Sequence, residues 1–315
     1  MISFALKYSK AFIGAVIGFA AFTAPFATVT SAASPDAAAA RPEPSSSSAA
    51  AAVFQRFQQL LRNPSDLAKA RAYAINHIRE VDQKQATLMT LHLENAQLAY
   101  LPKLKKQLMD DAIQQELSAS VLEIEYNLDS MIKMVKNAKT RALLQEVKSK
   151  GYQLWSSEGV YYPVMHYSGY KQFRSYVNKD IAVYIDLKAA EYDQPSFSDG
   201  ALLLPWDQLL ERALAYESFA KQYPKSSRAE AIRRHPLFSR IFFGSSNTPV
   251  YDYSQETNKT VISPDVRNAY EKAVAKGPKD SELLSKIGRL LTLLDQTNNE
   301  FTPEIERFLE QSVNG

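Results

Sequence analysis

The chain has no cysteine. Disulfides, thiolate nucleophiles, Cys-ligated zinc and a lipid-modified N-terminal cysteine are therefore excluded, and whatever folds is held by its core. Glycine is sparse as well, at 10 residues of 315, and none lies between Phe19 and Lys150. Between Ser45 and Lys150 the only prolines are Pro64 and Pro102. A hundred residues so free of breakers predict long helices rather than turn-rich β structure. Excess charge of either sign is missing too. The formal net charge is +3, of which Lys7 and Lys10 supply two. A balance so near neutral gives no electrostatic footprint for nucleic acid or an anionic membrane.

Catalytic signatures are also lacking. The histidines, His77, His92, His166 and His235, are scattered, and none stands in a metal-ligand spacing such as HExxH. No GxSxG and no phosphate-cradling glycine loop occurs. Glu125 and Asp129, four apart, read as a solvated helix face rather than a cation site. Asn258-Lys259-Thr260 is a glycosylation sequon only in a host that glycosylates it. The sequence offers no catalytic residue, no metal site and no cofactor.

At the N-terminus, Lys7 and Lys10 precede an uncharged apolar run from Ala11 to Val29, followed by Thr30-Ser31-Ala32-Ala33. A basic start, an apolar stretch and small residues at −3 and −1 make residues 1–33 a secretory signal, cleaved after Ala33. If retained, this segment is the chain's expected contact with a membrane. Residues 34–52, SPDAAAARPEPSSSSAAAA, have little to bury and read as a flexible Ala/Ser/Pro-rich linker, into whose Ala end a helix can grow.

Residues 53–150 read as a bundle of long helices. Asn63-Pro64-Ser65-Asp66 is a helix start, with N-cap, Pro at N1 and an acid in the first turn. Leu67, Ala70, Ala74, Ile78 and Val81 then recur at spacings of three and four. Pro102 is expected to end or kink a second helix begun near Gln85. Leu117, Val121, Ile124, Leu128, Met131, Val135, Ala138 and Ala142 form a heptad-like seam for packing against a neighbouring helix.

The texture changes at Gly151. Of 17 tyrosines, 13 fall between Tyr152 and Tyr270. The segment GYQLWSSEGVYYPVMHYSGY opens an aromatic-rich connector over 151–200, read as a short hairpin or irregular link. Trp155, Tyr161, Tyr162, Tyr167 and Tyr170, with Glu158 at the turn, could form a stacking platform for a glycan or peptide, because aromatics present stiff surface with a polar tip. The alternative is that these rings plug a junction between two helical halves.

Residues 201–315 read as helix pairs. Leu209, Ala213, Tyr216, Ala220 and Tyr223 make one apolar stripe. Ser227-Arg228-Ala229-Glu230 reads as a capping box. Ser263-Pro264-Asp265 and Thr302-Pro303-Glu304 open helices, and Gly277-Pro278 closes one and starts another. A shift of 54 residues lays Tyr216 on Tyr270, Phe219 on Ala273, Pro224 on Pro278 and Ser227 on Ser281. The first piece, ALAYESFAKQYPKSSRAEA, resembles the helix–turn–helix unit of tetratricopeptide proteins, in the Tyr-Pro-x-Ser variant of bacterial envelope assembly factors. The second, AYEKAVAKGPKDSELL, resembles the commoner form. The resemblance covers about 80 residues, and its 54-residue spacing requires an insertion near 243–262, because such repeats run to about 34. Glu217-Ser218 also matches the start of the catalytic segment of lytic transglycosylases, but the Gly-rich stretch that follows there is replaced by AKQYPKSSR.

The expectation is an all-α protein: a long-helix bundle, an aromatic connector and tetratricopeptide-like helix pairs. Its expected role is a secreted or extracytoplasmic bacterial module, non-enzymatic, that binds another envelope or secreted protein. The alternative is a glycan-binding or glycan-cleaving protein using the segment around Glu158.

Overall fold

The computed structural model describes residues 47–121 and 128–314. The signal segment, residues 34–46 of the linker, and Glu125 with seam residue Ile124 lie outside them. Thirteen α-helices and four two-stranded antiparallel hairpins make up the described residues, so the fold is mostly α. Among these residues no helix is long and apolar enough to cross a membrane.

Helix α1 (Ser47–Leu61) takes in the last six residues of the expected linker, because its alanine run favours helix and Phe57 anchors it in the core. The Asn63 side chain accepts the Ser65 N–H at 3.0 Å, and one 3-10 turn leads into α2 (Leu67–His77). Leu67, Ala70, Ala74, Ile78 and Val81 are all buried.

Helix α3 (Gln83–Leu108) is the central strut. Asp82 caps it by accepting the Gln85 N–H at 2.7 Å. Its buried stripe runs Ala86, Met89, Leu93, Gln97, Tyr100, Leu104 and Leu108. Pro102 does not end this helix. It sits on the exposed face, as does Leu98 four residues earlier, whose carbonyl loses its helical partner. Water can take that carbonyl, which lowers the cost of an interior proline.

The heptad seam is not one helix. Helix α4 (Asp111–Val121) and α5 (Leu128–Met134) are followed by a non-helical link at 135–137, where Asn137 caps α6 (Ala138–Ser149) by accepting the Lys139 N–H at 2.8 Å. That cap resets the register. Leu117, Met131 and Val135 are buried, but Ala138 and Ala142 face solvent, and α6 buries Thr140, Leu143, Leu144 and Val147 instead.

Strands β1 (Tyr152–Ser157) and β2 (Val160–Met165) form the aromatic hairpin, and a 3-10 segment over Tyr167–Phe173 precedes α7 (Lys179–Asp193). A small hairpin, β3 (Phe197–Ser198) with β4 (Ala201–Leu202), leads to α8 (Trp206–Gln222). The second helix of the first helix–turn–helix unit is brief: α9 is only Ala229–Arg233, followed by α10 (Leu237–Phe243). Two hairpins, β5 (Gly244–Ser245) with β6 (Thr248–Pro249) and β7 (Tyr251–Ser254) with β8 (Lys259–Ile262), occupy the stretch where the 54-residue shift requires an insertion. Helices α11 (Pro264–Lys276), α12 (Glu282–Gln296) and α13 (Pro303–Asn314) complete the chain. Glu217 serves the structure: from α8 its carboxylate accepts the Glu282 and Leu283 N–H groups at 2.7 and 3.0 Å, satisfying the start of α12.

One hydrophobic core joins these elements, from Phe57 in α1 to Leu309 in α13. Within it lies a charged centre. The Glu94 carboxylate of α3, 3 % exposed, receives Tyr167 Oη at 2.7 Å, Tyr184 Oη at 2.6 Å and Arg228 Nη2 and Nε at 2.7 and 3.1 Å. A buried charge this well surrounded is tolerated because each lone pair meets a donor. Burial works against the Arg228 charge, but Glu94 outweighs it and holds the guanidinium above its ordinary pKa. Burial, the neighbouring Tyr184 and Glu94 together push the Tyr167 hydroxyl far up, so it stays a donor.

Candidate functional site

The hairpin turns through Glu158 and Gly159, with φ of +51° and +80°. Two successive positive φ values define the two-residue loop that matches strand twist, and glycine takes the second at no steric cost. The pairing is Trp155 with Tyr162, Ser156 with Tyr161 and Leu154 with Pro163. Alternation then divides the rings. Tyr152, Tyr161 and Met165 share the core face and are buried; Trp155 and Tyr162 share the other face and are half-buried.

The six expected site residues therefore do not form one platform. Tyr161 is 5 % exposed, and Tyr167 and Tyr170 are buried on the far side, their hydroxyls bound to Glu94 and Gln97. Glu158 stands exposed at the tip, where the adjoining Ser157 hydroxyl donates to Asp199 of the β3–β4 turn. Tyr162 lies near Asp199, and burial with that charge raises its hydroxyl pKa. Of the six, Trp155 lines an open cavity. Its ring lies 5.5 Å from that of Tyr192 at the end of α7, tilted by 35°.

That cavity is a cleft of about 680 Å³ along the outer side of β1. Tyr152, Gln153, Leu154 and Trp155 form one wall, with Tyr192 and Asp193 beyond them, while Arg71, Leu128, Asp129, Met131, Lys148 and His166 complete it. Its carboxylates are engaged. Asp129 pairs with Lys148, and Asp193 accepts from the Ser168 hydroxyl and pairs with Lys171 at 3.3 Å. The His166 imidazole is held below its ordinary pKa by burial and by Arg71, against the pull of Asp193. It is neutral at pH 7. Among the described residues no group of three or more metal-ligating side chains converges. The arrangement can stack a flat or extended ligand and meet charge at its rim, but it poises no carboxylate pair for acid–base work.

Arg71, His166, Tyr192 and Asp193 come from three separate parts of the chain, and sequence spacing could not join them. Tyr192 had one signal: it closes a helix just before the DQPSFSDG loop, an aromatic at an element's end. Compared with known proteins, the chain matches no family model, no curated protein and no solved structure.

Proposed function

We propose that this chain is an exported, non-enzymatic binding module of the bacterial cell envelope, which holds a segment of another protein in the cleft beside the aromatic hairpin. The observation that carries the reading is the cleft itself: an aromatic pair, Trp155 with Tyr192, above carboxylates that already have cationic partners. Stacking surface beside satisfied carboxylates suits recognition, whereas catalysis by carboxylates needs at least one group with a shifted pKa aimed into open space. The signal-like N-terminus supports export, and the near-neutral charge argues against nucleic acid.

A photo-crosslinking residue at Trp155, in the native host, tests this reading. A protein adduct of defined mass is expected, and replacing Tyr192 by Ala should suppress it. The Trp155–Tyr192 pair would also stack a sugar ring. Co-sedimentation with purified cell-wall sacculi, lost on Trp155→Ala and without any protein adduct, would replace the protein-binding reading by the glycan one.

A further inference from the structure

The two edges of the aromatic hairpin are treated differently. On β2, the Gln114 side chain of α4 closes the outer edge: its Oε1 accepts the Tyr161 N–H and its Nε2 donates to the Tyr161 carbonyl, both at 2.8 Å. Two residues along, Pro163 has no N–H to offer. The β2 edge is thus blunted twice.

The β1 edge is not. The two-residue loop makes Ser157 and Val160 a hydrogen-bonded pair, and at the other end His166 N–H donates to Gly151 carbonyl at 3.2 Å. Between those ends the ladder alternates, so the N–H and C=O groups of Tyr152, Leu154 and Ser156 point away from β2. None of these outward groups bonds to another described residue. Tyr152 and Leu154 are among the four consecutive residues, 152–155, that line the cleft, and Ser156 adjoins them. An open row of backbone donors and acceptors is a template for another strand.

At the N-terminal end of this edge stands Arg71. Its Nε is 2.7 Å from where a Cβ on Gly151 would be. The guanidinium lines the cleft and makes no hydrogen bond or ion pair with any described residue. The other cation of the lining, Lys148, is matched by Asp129, and Asp193 is matched from outside by Lys171. The cleft therefore has one unanswered positive charge, placed where a strand running antiparallel to β1 would end.

We propose that the cleft binds the extended C-terminal tail of a partner protein, which adds to β1 as an antiparallel strand and places its terminal carboxylate on Arg71. This rests on the protein-binding reading and specifies its chemistry. Main-chain bonds to Leu154 and Ser156 supply affinity, and the Trp155–Tyr192 pair selects an aromatic or large apolar side chain near the tail's end. A carboxylate on an otherwise unpaired guanidinium forms a charge-assisted bond of the stronger kind.

The test uses the full chain against a display library of random heptapeptides with free C-termini. Enriched sequences should share an apolar or aromatic residue near the carboxylate. The best peptide is then synthesised free, amidated, and N-methylated at each position in turn. Amidation should weaken binding roughly tenfold or more. N-methylation should be harmful at alternate positions only, because every second amide of an added strand faces its neighbour. Arg71→Gln should bind the free and amidated peptides equally, and Arg71→Lys should restore part of the difference. A retained peptide indifferent to amidation, or with no alternation, overturns strand addition. If the Trp155 cross-link captures a protein but no peptide is retained, strand addition fails and the binding role stands. If the cross-link captures none, the role itself falls.

Discussion

Gln114 and Tyr161 face each other like two rungs of a ladder, a side-chain amide making both hydrogen bonds that a neighbouring strand would make. A helix thereby finishes a sheet edge without contributing a strand. Removing that amide takes two hydrogen bonds from a part-buried N–H and C=O. Gln114→Ala should cost about 1–3 kcal/mol in urea unfolding. It should also make sedimentation concentration-dependent, because a bare second edge invites pairing between copies. An unchanged midpoint with a strictly monomeric profile would show that the edge needs no cover.

Tyr161 and Tyr162 are neighbours in sequence on opposite faces of the hairpin. Truncating Tyr161 to Ala empties a core site and should cost about 3–5 kcal/mol, as for other large core aromatics. The same change at Tyr162 should cost less than about 2 kcal/mol, since the ring is half-buried. Denaturant melts with equal shifts for both would contradict the alternation.

The charged centre of the core makes a third prediction. Glu94→Ala removes the acceptor of two tyrosine hydroxyls and strands Arg228, side chain 17 % exposed, without its partner. Leaving one member of a buried pair alone costs about 3–5 kcal/mol. Glu94→Gln keeps the shape and part of the hydrogen bonding and should cost less. The order of the two melting temperatures checks the assignment.

His235 supplies the pH dependence. Its Nδ1 accepts the Leu237 N–H at 3.3 Å, and its ring meets Tyr216 edge-on at 4.9 Å. Burial, with Lys188 and Arg240 adding and Glu191 opposing, pushes its pKa down to about 4. An unfolded histidine titrates near 6.5. Between those values the unfolded chain holds a proton that the folded chain refuses. The stability from this site is therefore complete above pH 6.5 and lost as pH falls toward 4. In His235→Phe, the loss of melting temperature between pH 7 and 4.5 should be smaller than in the parent chain. Parallel curves for the two would show that His235 carries no proton linkage.

Much of the fold is legible in the sequence because local rules act locally. The stripe from Leu67 to Val81, the Asn63 cap and the Glu158-Gly159 turn each depend on a few neighbouring residues, and the chain follows them. Pro102 misleads because its cost depends on which way its helix faces, a tertiary fact. The heptad seam misleads at Asn137, a residue that favours caps but lies between two apolar repeats, and there the cap wins. The site is less legible. Its rings announce themselves, but their division between core and cleft needs strand register, and Arg71 meets Gly151 only after 80 residues of chain have folded. One clue to the core's charge was present: Glu94 and Gln97 fall on the same stripe of α3 as Leu93 and Tyr100, and a polar residue in such a stripe calls for a buried partner.

Glu94 and Arg228 are 134 residues apart. During synthesis the carboxylate emerges long before the guanidinium that neutralises it, and until then α3 has a bare charge on the side it must bury. Burying that carboxylate without its partner is costly, and closing so long a loop is slow compared with forming helices. A chain cut short before residue 228 keeps the tyrosine donors of Glu94 but lacks its guanidinium, and should be less stable than the full chain for that reason.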